Sequence, residues 1–192
     1  MPAPNPAAME FLLSRRSRPA KTLSAPAPDR AALAPILRAA LRSPDHGKLE
    51  PWRLIVLERG ALDRLARAAR ARGAARGLAE RDIDKGAGQF ADSPLSVAVV
   101  AAPKPSEKVP EIEQLSSAAA VCLSLLNAAL ASGWGANWLT GWPAHDSHFL
   151  GESLGLGEGE RLTGFIHIGT ETSAPPDRPR PNPEEVVTWL SE

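Results

Sequence analysis

Three short runs in this sequence gather residue types that can hold a ligand or react with one. The first is Arg15-Arg16-Ser17-Arg18. Guanidinium forks grip phosphate bidentately and a serine hydroxyl adds a donor, so the run suits a phosphate group. A solvated basic helix end, favourable to the helix dipole, has the same composition. The second is Ser43-Pro44-Asp45-His46-Gly47-Lys48-Leu49-Glu50-Pro51-Trp52, a charged loop that enters a strand through Pro-Trp. His46 could donate to a phosphate or a sugar hydroxyl, and Lys48 could sit beside a developing negative charge. Its plain alternative is a capping loop with Trp52 as core. The third run is Gly133-Trp134-Gly135-Ala136-Asn137-Trp138-Leu139-Thr140-Gly141-Trp142. Glycines beside flat aromatics let backbone approach a planar ligand, and the N–H groups of Thr140 and Gly141 could bond its heteroatoms. Three tryptophans in nine residues make core filling the less economical reading.

Other candidates are weaker. His145, Asp146 and His148 are metal-ligand types, but no further His or Cys falls at a matching spacing, and Asp146 equally suits a helix cap. Cys122 lies among apolar residues at helical spacing and reads as packed rather than nucleophilic. No G-x-G-x-x-G after the first strand and no G-x-x-x-x-G-K-[ST] occurs, so a Rossmann site and a Walker-type site are not expected.

The elements that must position these runs follow from periodicity. A short helix over 7–14 carries Phe11, Leu12 and Leu13 into the arginine run, and residues 24–28 read as linker. Asp29 caps a helix to about 41 with Leu33, Ile36, Leu37, Ala40 and Leu41 on one face. Residues 53–58, 96–102, 136–140 and 162–168 have the density of strands, the first two of buried ones. Helices are expected over 61–72, 112–131, 146–154 and 184–190, with a polar stretch of no assigned structure up to Asp92. The helix over 112–131 is apolar nearly all round and should be central. Strands separated by helices imply an α+β or α/β sandwich with a sheet covered on both faces, in a single domain over 1–192 whose residues 173–192 form an extended tail.

The 192 residues suffice for one core, with 43% hydrophobic and 23% charged positions. Twenty-two basic residues balance twenty-two acidic ones, so no global field favours nucleic acid or an anionic membrane. A single cysteine excludes an internal disulfide. No apolar stretch approaches the roughly 20 residues of a spanning helix, and residues 1–18 lack the pattern of a signal peptide. A cytoplasmic protein is the expectation.

Together the three runs resemble the nitroreductase family over nearly the whole chain. Members open with Arg-Arg-Ser after a short helix, matched by Arg15, Arg16 and Ser17. They continue with a helix ending in Ala/Ser-Pro and a loop closing on Gln-Pro-Trp, matched by Ser43-Pro44 and Glu50-Pro51-Trp52. The variant Arg42-Ser43-Pro44-Asp45-His46 looks most like a compact NAD(P)H nitroreductase subfamily. The resemblance implies an α+β sandwich, with a central sheet flanked by helices, in an intertwined homodimer that binds FMN between subunits. Arg15, Arg16 and Ser17 would hold the phosphate and ribityl chain, and Arg178 and Arg180 would return to the phosphate. Arg42 and His46 would act across the interface. Trp138, Leu139, Thr140 and Gly141 would line the isoalloxazine, and residues 128–133 would meet nicotinamide. Lys48 stands where the family usually has Asn, and Glu50 where it has Gln; a lysine there could stabilise the reduced flavin's negative charge, with Lys21 the other candidate. The implied activity is ping-pong hydride transfer, from NAD(P)H to the flavin and on to a nitroaromatic, quinone or similar small acceptor, with no side chain as catalytic acid. The alternatives are a non-catalytic FMN-binding or flavin-handling protein of the same fold, and a phosphate-binding regulatory module without flavin.

Overall fold

A computed structural model describes residues 3–191. The helices are α1 (Pro6–Ser14), α2 (Arg30–Ala40), α3 (Arg59–Ala75), α4 (Glu80–Ala91), α5 (Glu111–Ala131), α6 (Ser147–Leu154) and α7 (Pro183–Val186). The strands are β1 (Leu23–Ser24), β2 (Trp52–Leu57), β3 (Leu95–Ala101), β4 (Gly135–Leu139) and β5 (Arg161–Glu171). Every strand pairing among the described residues is antiparallel. β5 is the hub: it pairs with β3, β4 and β1, and β2 joins through β3.

Alternation along the strands splits the core in two, because successive side chains point to opposite faces. Val97, Val99, Ile166, Ile168 and Ala136 face α2 and α5, meeting Leu33, Ile36, Val121 and Leu125. Ala98, Val100 and Phe165 face α3, α4 and α6, meeting Leu62, Leu65, Ala69, Phe90 and Phe149. Phe90 and Phe165 meet edge to face at 5.0 Å, and deleting the Phe90 ring would cost about 3–5 kcal/mol.

Helix α2 starts where Asp29 accepts from the Ala32 N–H, as its sequence announces. Five expectations need correction. The polar stretch before Asp92 contains α4, whose Ile83, Gly86, Ala87 and Phe90 fall at helical spacing on its buried face. β2 pairs only with β3 and is an edge strand, with Val56 exposed, so it is not buried on both faces. The presumed linker opens on β1, and the last helix stops at Val186. α5 is central on one side only. Among the described residues it is the one helix long and apolar enough to cross a membrane; it packs on α2, β3, β4 and β5 and leaves Ile112 and Leu123 exposed.

Candidate functional site

Residues 15–18 leave α1 in extended form and run beside β4. The Arg18 N–H donates to the Ala136 carbonyl (2.8 Å), Asn137 Nδ2 donates back to the Arg18 carbonyl (2.6 Å), and the Arg18 guanidinium pairs with Glu171 at 3.1 Å. Arg15 Nη2 donates to Ser17 Oγ at 3.0 Å. The Nε atoms of Arg15 and Arg16 are buried and have no hydrogen-bond partner. Burial, followed by the charges of Arg180 and Arg16, lowers the Arg15 pKa from its ordinary value. Three guanidiniums thus crowd together with donors to spare, which is costly without an anion and favourable with one. Arg178 is exposed, and of the tail pair it is Arg180 that bears on Arg15.

The loop of residues 43–50 is held on α5. Ser43 Oγ donates to Ala40 O and bonds Ser124 Oγ, Ser117 Oγ donates to Pro44 O at 2.6 Å, and Trp52 Nε1 donates to Ser117 Oγ at 3.1 Å. Trp52 is therefore part of the anchoring, as the plain reading of this run had it. His46 Nδ1 lies 2.7 Å from Glu113, both partly exposed. Arg42 and Lys48 are exposed. Lys48 and Glu50 take positive φ (54° and 49°), a strained backbone for non-glycine residues.

The third run divides. Trp142 packs on the backbone of Gly86, where a Cβ would collide with its indole; its Nε1 donates to Asp82 O at 3.0 Å and Arg76 stacks over its ring. It packs against the core and also borders the cavity beside Gly141. Trp138 turns to the α5 side of the sheet and donates from Nε1 to Thr163 O at 3.3 Å. Leu139 points the other way and, with Lys21, Lys85 and Gln89, borders a cavity of about 290 Å³. A neighbouring cavity of about 320 Å³ shares Lys85, Gln89 and Leu139 and reaches Gly141. Gly141 has φ 67° and ψ −179°, a conformation that requires glycine.

So the structure joins the first and third runs at one part of the sheet and keeps the second apart. Arg18 is tied to Glu171 at one end of β5. At the other end Arg161 pairs with Glu111 at 2.9 Å, beside the Glu113 that holds His46. Ten steps of about 3.3 Å separate the two ends, roughly 33 Å. Gln89, Lys85 and Asn137 went unnoticed in the sequence; Gln89 belongs to the helix that was missed.

Elsewhere, Asp146 caps α6 by accepting from the Phe149 N–H and pairs with Arg72 and Arg76. Burial pushes its pKa up, but the Phe149 N–H and the two guanidiniums outweigh burial and hold it below the usual carboxylate value. Burial pushes the Cys122 thiol up to about 12, so it stays protonated and unreactive. His167, fully buried on β5 with neither ring nitrogen bonded, is lowered by burial to about 4.

The fold is an antiparallel α+β sandwich with a crowded group of arginines beside its sheet. The sequence comparison is specific: the model of the nitroreductase family matches residues 12–170, and the chain belongs to that family. "Putative NAD(P)H nitroreductase YdjA" of Escherichia coli K12 is 34% identical over 184 residues, covering 95% of this chain and 99% of its own. A "Putative NAD(P)H nitroreductase" of Haemophilus influenzae is 36% identical over 165 residues, 85% of this chain and 88% of its own. Among solved structures, a nitroreductase-like family protein from Bacillus cereus superposes with a TM-score of 0.79 at 23% identity, over the full length of both chains. An FMN-dependent nitroreductase from Clostridium difficile gives 0.66 at 18% identity, covering 96% of this chain and 99% of that one. The chain is accordingly an oxidoreductase of the NAD(P)H nitroreductase kind.

Proposed function

We propose that the protein binds FMN with its phosphate on Arg15, Arg16, Ser17 and Arg180, and uses NAD(P)H to reduce a small acceptor such as a nitroaromatic or quinone. The buried, unpartnered Nε atoms of Arg15 and Arg16 carry this reading, because guanidiniums pressed together and desolvated need an anion. Bound FMN would supply the chemistry, taking a hydride from NAD(P)H and passing electrons to the acceptor. The chain's own residues bind, orient and shape the potential. Thr140 and Gly141 offer backbone N–H groups to the ring, and Lys48 or Lys21 offers positive charge near its pyrimidine edge. No side chain need act as a catalytic acid.

The site is completed by a second copy. His46 lies toward the other end of β5, and by the resemblance it, Arg42 and Lys48 would serve the flavin of the partner chain. Leu12, Leu13, Ile112, Leu123, Val186 and above all Trp189 (90% exposed) and Leu190 (87% exposed) offer apolar side chains that a second copy could cover.

The test is a visible spectrum of the purified protein, followed by anaerobic NADH or NADPH. Flavin bands that bleach on addition and return with an acceptor are expected. A colourless protein that takes up no FMN overturns the reading. Tight FMN binding without NAD(P)H turnover points instead to a non-catalytic flavin carrier.

A further inference from the structure

Gln89 stands on α4 at the groove beside the end of β4, and it borders both cavities there. Its Nε2 donates to the carbonyls of Gly86 (3.2 Å) and Thr140 (3.4 Å), while its Oε1 is buried without a partner. The amide orientation is settled by its neighbours: turned over, its oxygen would face two carbonyl oxygens. A buried carbonyl left unpaired costs about 1–3 kcal/mol, so a leucine of similar size would make a more stable groove. The polar side chain is kept at a cost in stability, and the group it reaches explains why.

That group is the Thr140–Gly141 peptide. In a trans peptide the C=O and N–H point in opposite directions. With the Thr140 carbonyl drawn toward α4, the Gly141 N–H is turned away from it. Among the described residues neither the Thr140 nor the Gly141 N–H donates to a protein acceptor. Glycine accepts φ of either sign, so this peptide is free to rotate as a unit unless something holds it. Gln89 is the one side chain that bonds the Thr140 carbonyl.

We propose that Gln89 is a positioning residue that keeps the Gly141 N–H facing outward and thereby sets the polarity of the hydrogen bond offered to the flavin N5 edge. This rests on the FMN reading above. Flavin N5 is an acceptor in the oxidised ring and carries a proton in the fully reduced ring. A fixed outward N–H favours the oxidised form; an outward carbonyl, available after rotation, favours the reduced one. Gln89 therefore lowers the reduction potential by denying the second orientation.

The experiment compares wild type with Gln89→Leu and Gln89→Met, which both remove the donor to the Thr140 carbonyl without adding charge. The two-electron potential of each FMN-loaded protein is measured by equilibration with reference dyes. In the apoproteins, 15N relaxation dispersion at Gly141 reports peptide rotation on the microsecond-to-millisecond scale. Both variants should favour reduction by roughly tenfold more than wild type, about +30 mV for a two-electron couple. Gly141 should be quiet in wild type and broadened by exchange in the variants. If Gln89→Leu fails to fold, Gln89→Met carries the comparison. An unchanged or lowered potential in a variant that binds FMN normally overturns the role of Gln89 alone. A wild-type protein that binds no FMN overturns the flavin reading and this inference together.

Discussion

The two ends of β5 carry two basic clusters of opposite character. At the Glu171 end, Arg15 and Arg16 are partly buried, crowded by Arg180 and left with unbonded nitrogens. At the Arg161 end, His46 is exposed with its Nδ1 2.7 Å from Glu113, while Lys48 faces solvent from a loop pinned to α5. The first is a seat already formed within one chain and strained by its own charge. The second is a projecting group of side chains whose own chain gives it nothing to bind. Placing one ligand's needs on both ends calls for two chains, and the predictions below test that division.

The largest effect belongs to the seat. Arg15→Ala with Arg16→Ala should weaken FMN binding at least about 100-fold, since each charge-assisted contact contributes about 1.5–3 kcal/mol, and should leave thermal stability level or higher. Fluorescence-quenching titration measures it. A loss smaller than that of His46→Ala would reverse the ranking of the two ends.

The strand between the ends gives the next effect. Folded His167 stays neutral down to about pH 4, whereas the unfolded chain's histidine takes a proton from about 6.5. The unfolded state thus binds more protons in this window, and stability should fall by about 3 kcal/mol as pH drops from 6.5 to 4. Glu160 extends the loss to lower pH. Its bond to Arg53, helped by the Gly157 N–H against burial, holds its pKa at about 2, so a contribution present above about 4.5 disappears as pH falls toward 2. Urea midpoints at pH 7, 5.5 and 4.5 read the first part, and His167→Phe should flatten it.

Third, Ile112→Lys with Leu123→Lys places charge on the exposed face of α5. We expect monomers by light scattering and roughly tenfold weaker FMN binding, although the arginine seat is untouched. Full affinity in a monomer would show that one end suffices. The smallest effect is at the far loop: Lys48→Met should lower the flavin potential by about 30 mV, a tenfold change in the redox equilibrium. No change there would remove Lys48 from the site.

How far the sequence could be read depended on how local each signal was. Strand density and the Asp29 cap are contained within a few neighbouring residues, and they placed β3, β5 and α2 within a residue or two on most sides. Helix α4 was hidden because its buried face is narrow: Gly86 contributes no side chain, and Trp142, fifty-six positions on, fills the space instead. Gln89 was illegible for the same reason, since its partner Thr140 lies 51 residues away. The arginine run was visible as a phosphate candidate, but its crowding by Arg180 appears only when the tail folds back. Trp142 both packs on Gly86 and borders the cavity beside Gly141, and spacing along the chain cannot say which way a ring turns.

The hub position of β5 also bears on how the protein is made. Among the described residues it is the last strand in chain order, yet β1, β3 and β4 all wait for it, and Ser24 bonds Thr170 across 146 positions. Until it arrives, the wholly buried strand Leu95–Ala101 has one edge open, and sheet closure depends on contacts of long sequence separation. Such a nascent chain folds slowly and is prone to aggregate during synthesis. Its yield in cells should therefore track chaperone supply and growth temperature more closely than the stability of the finished fold.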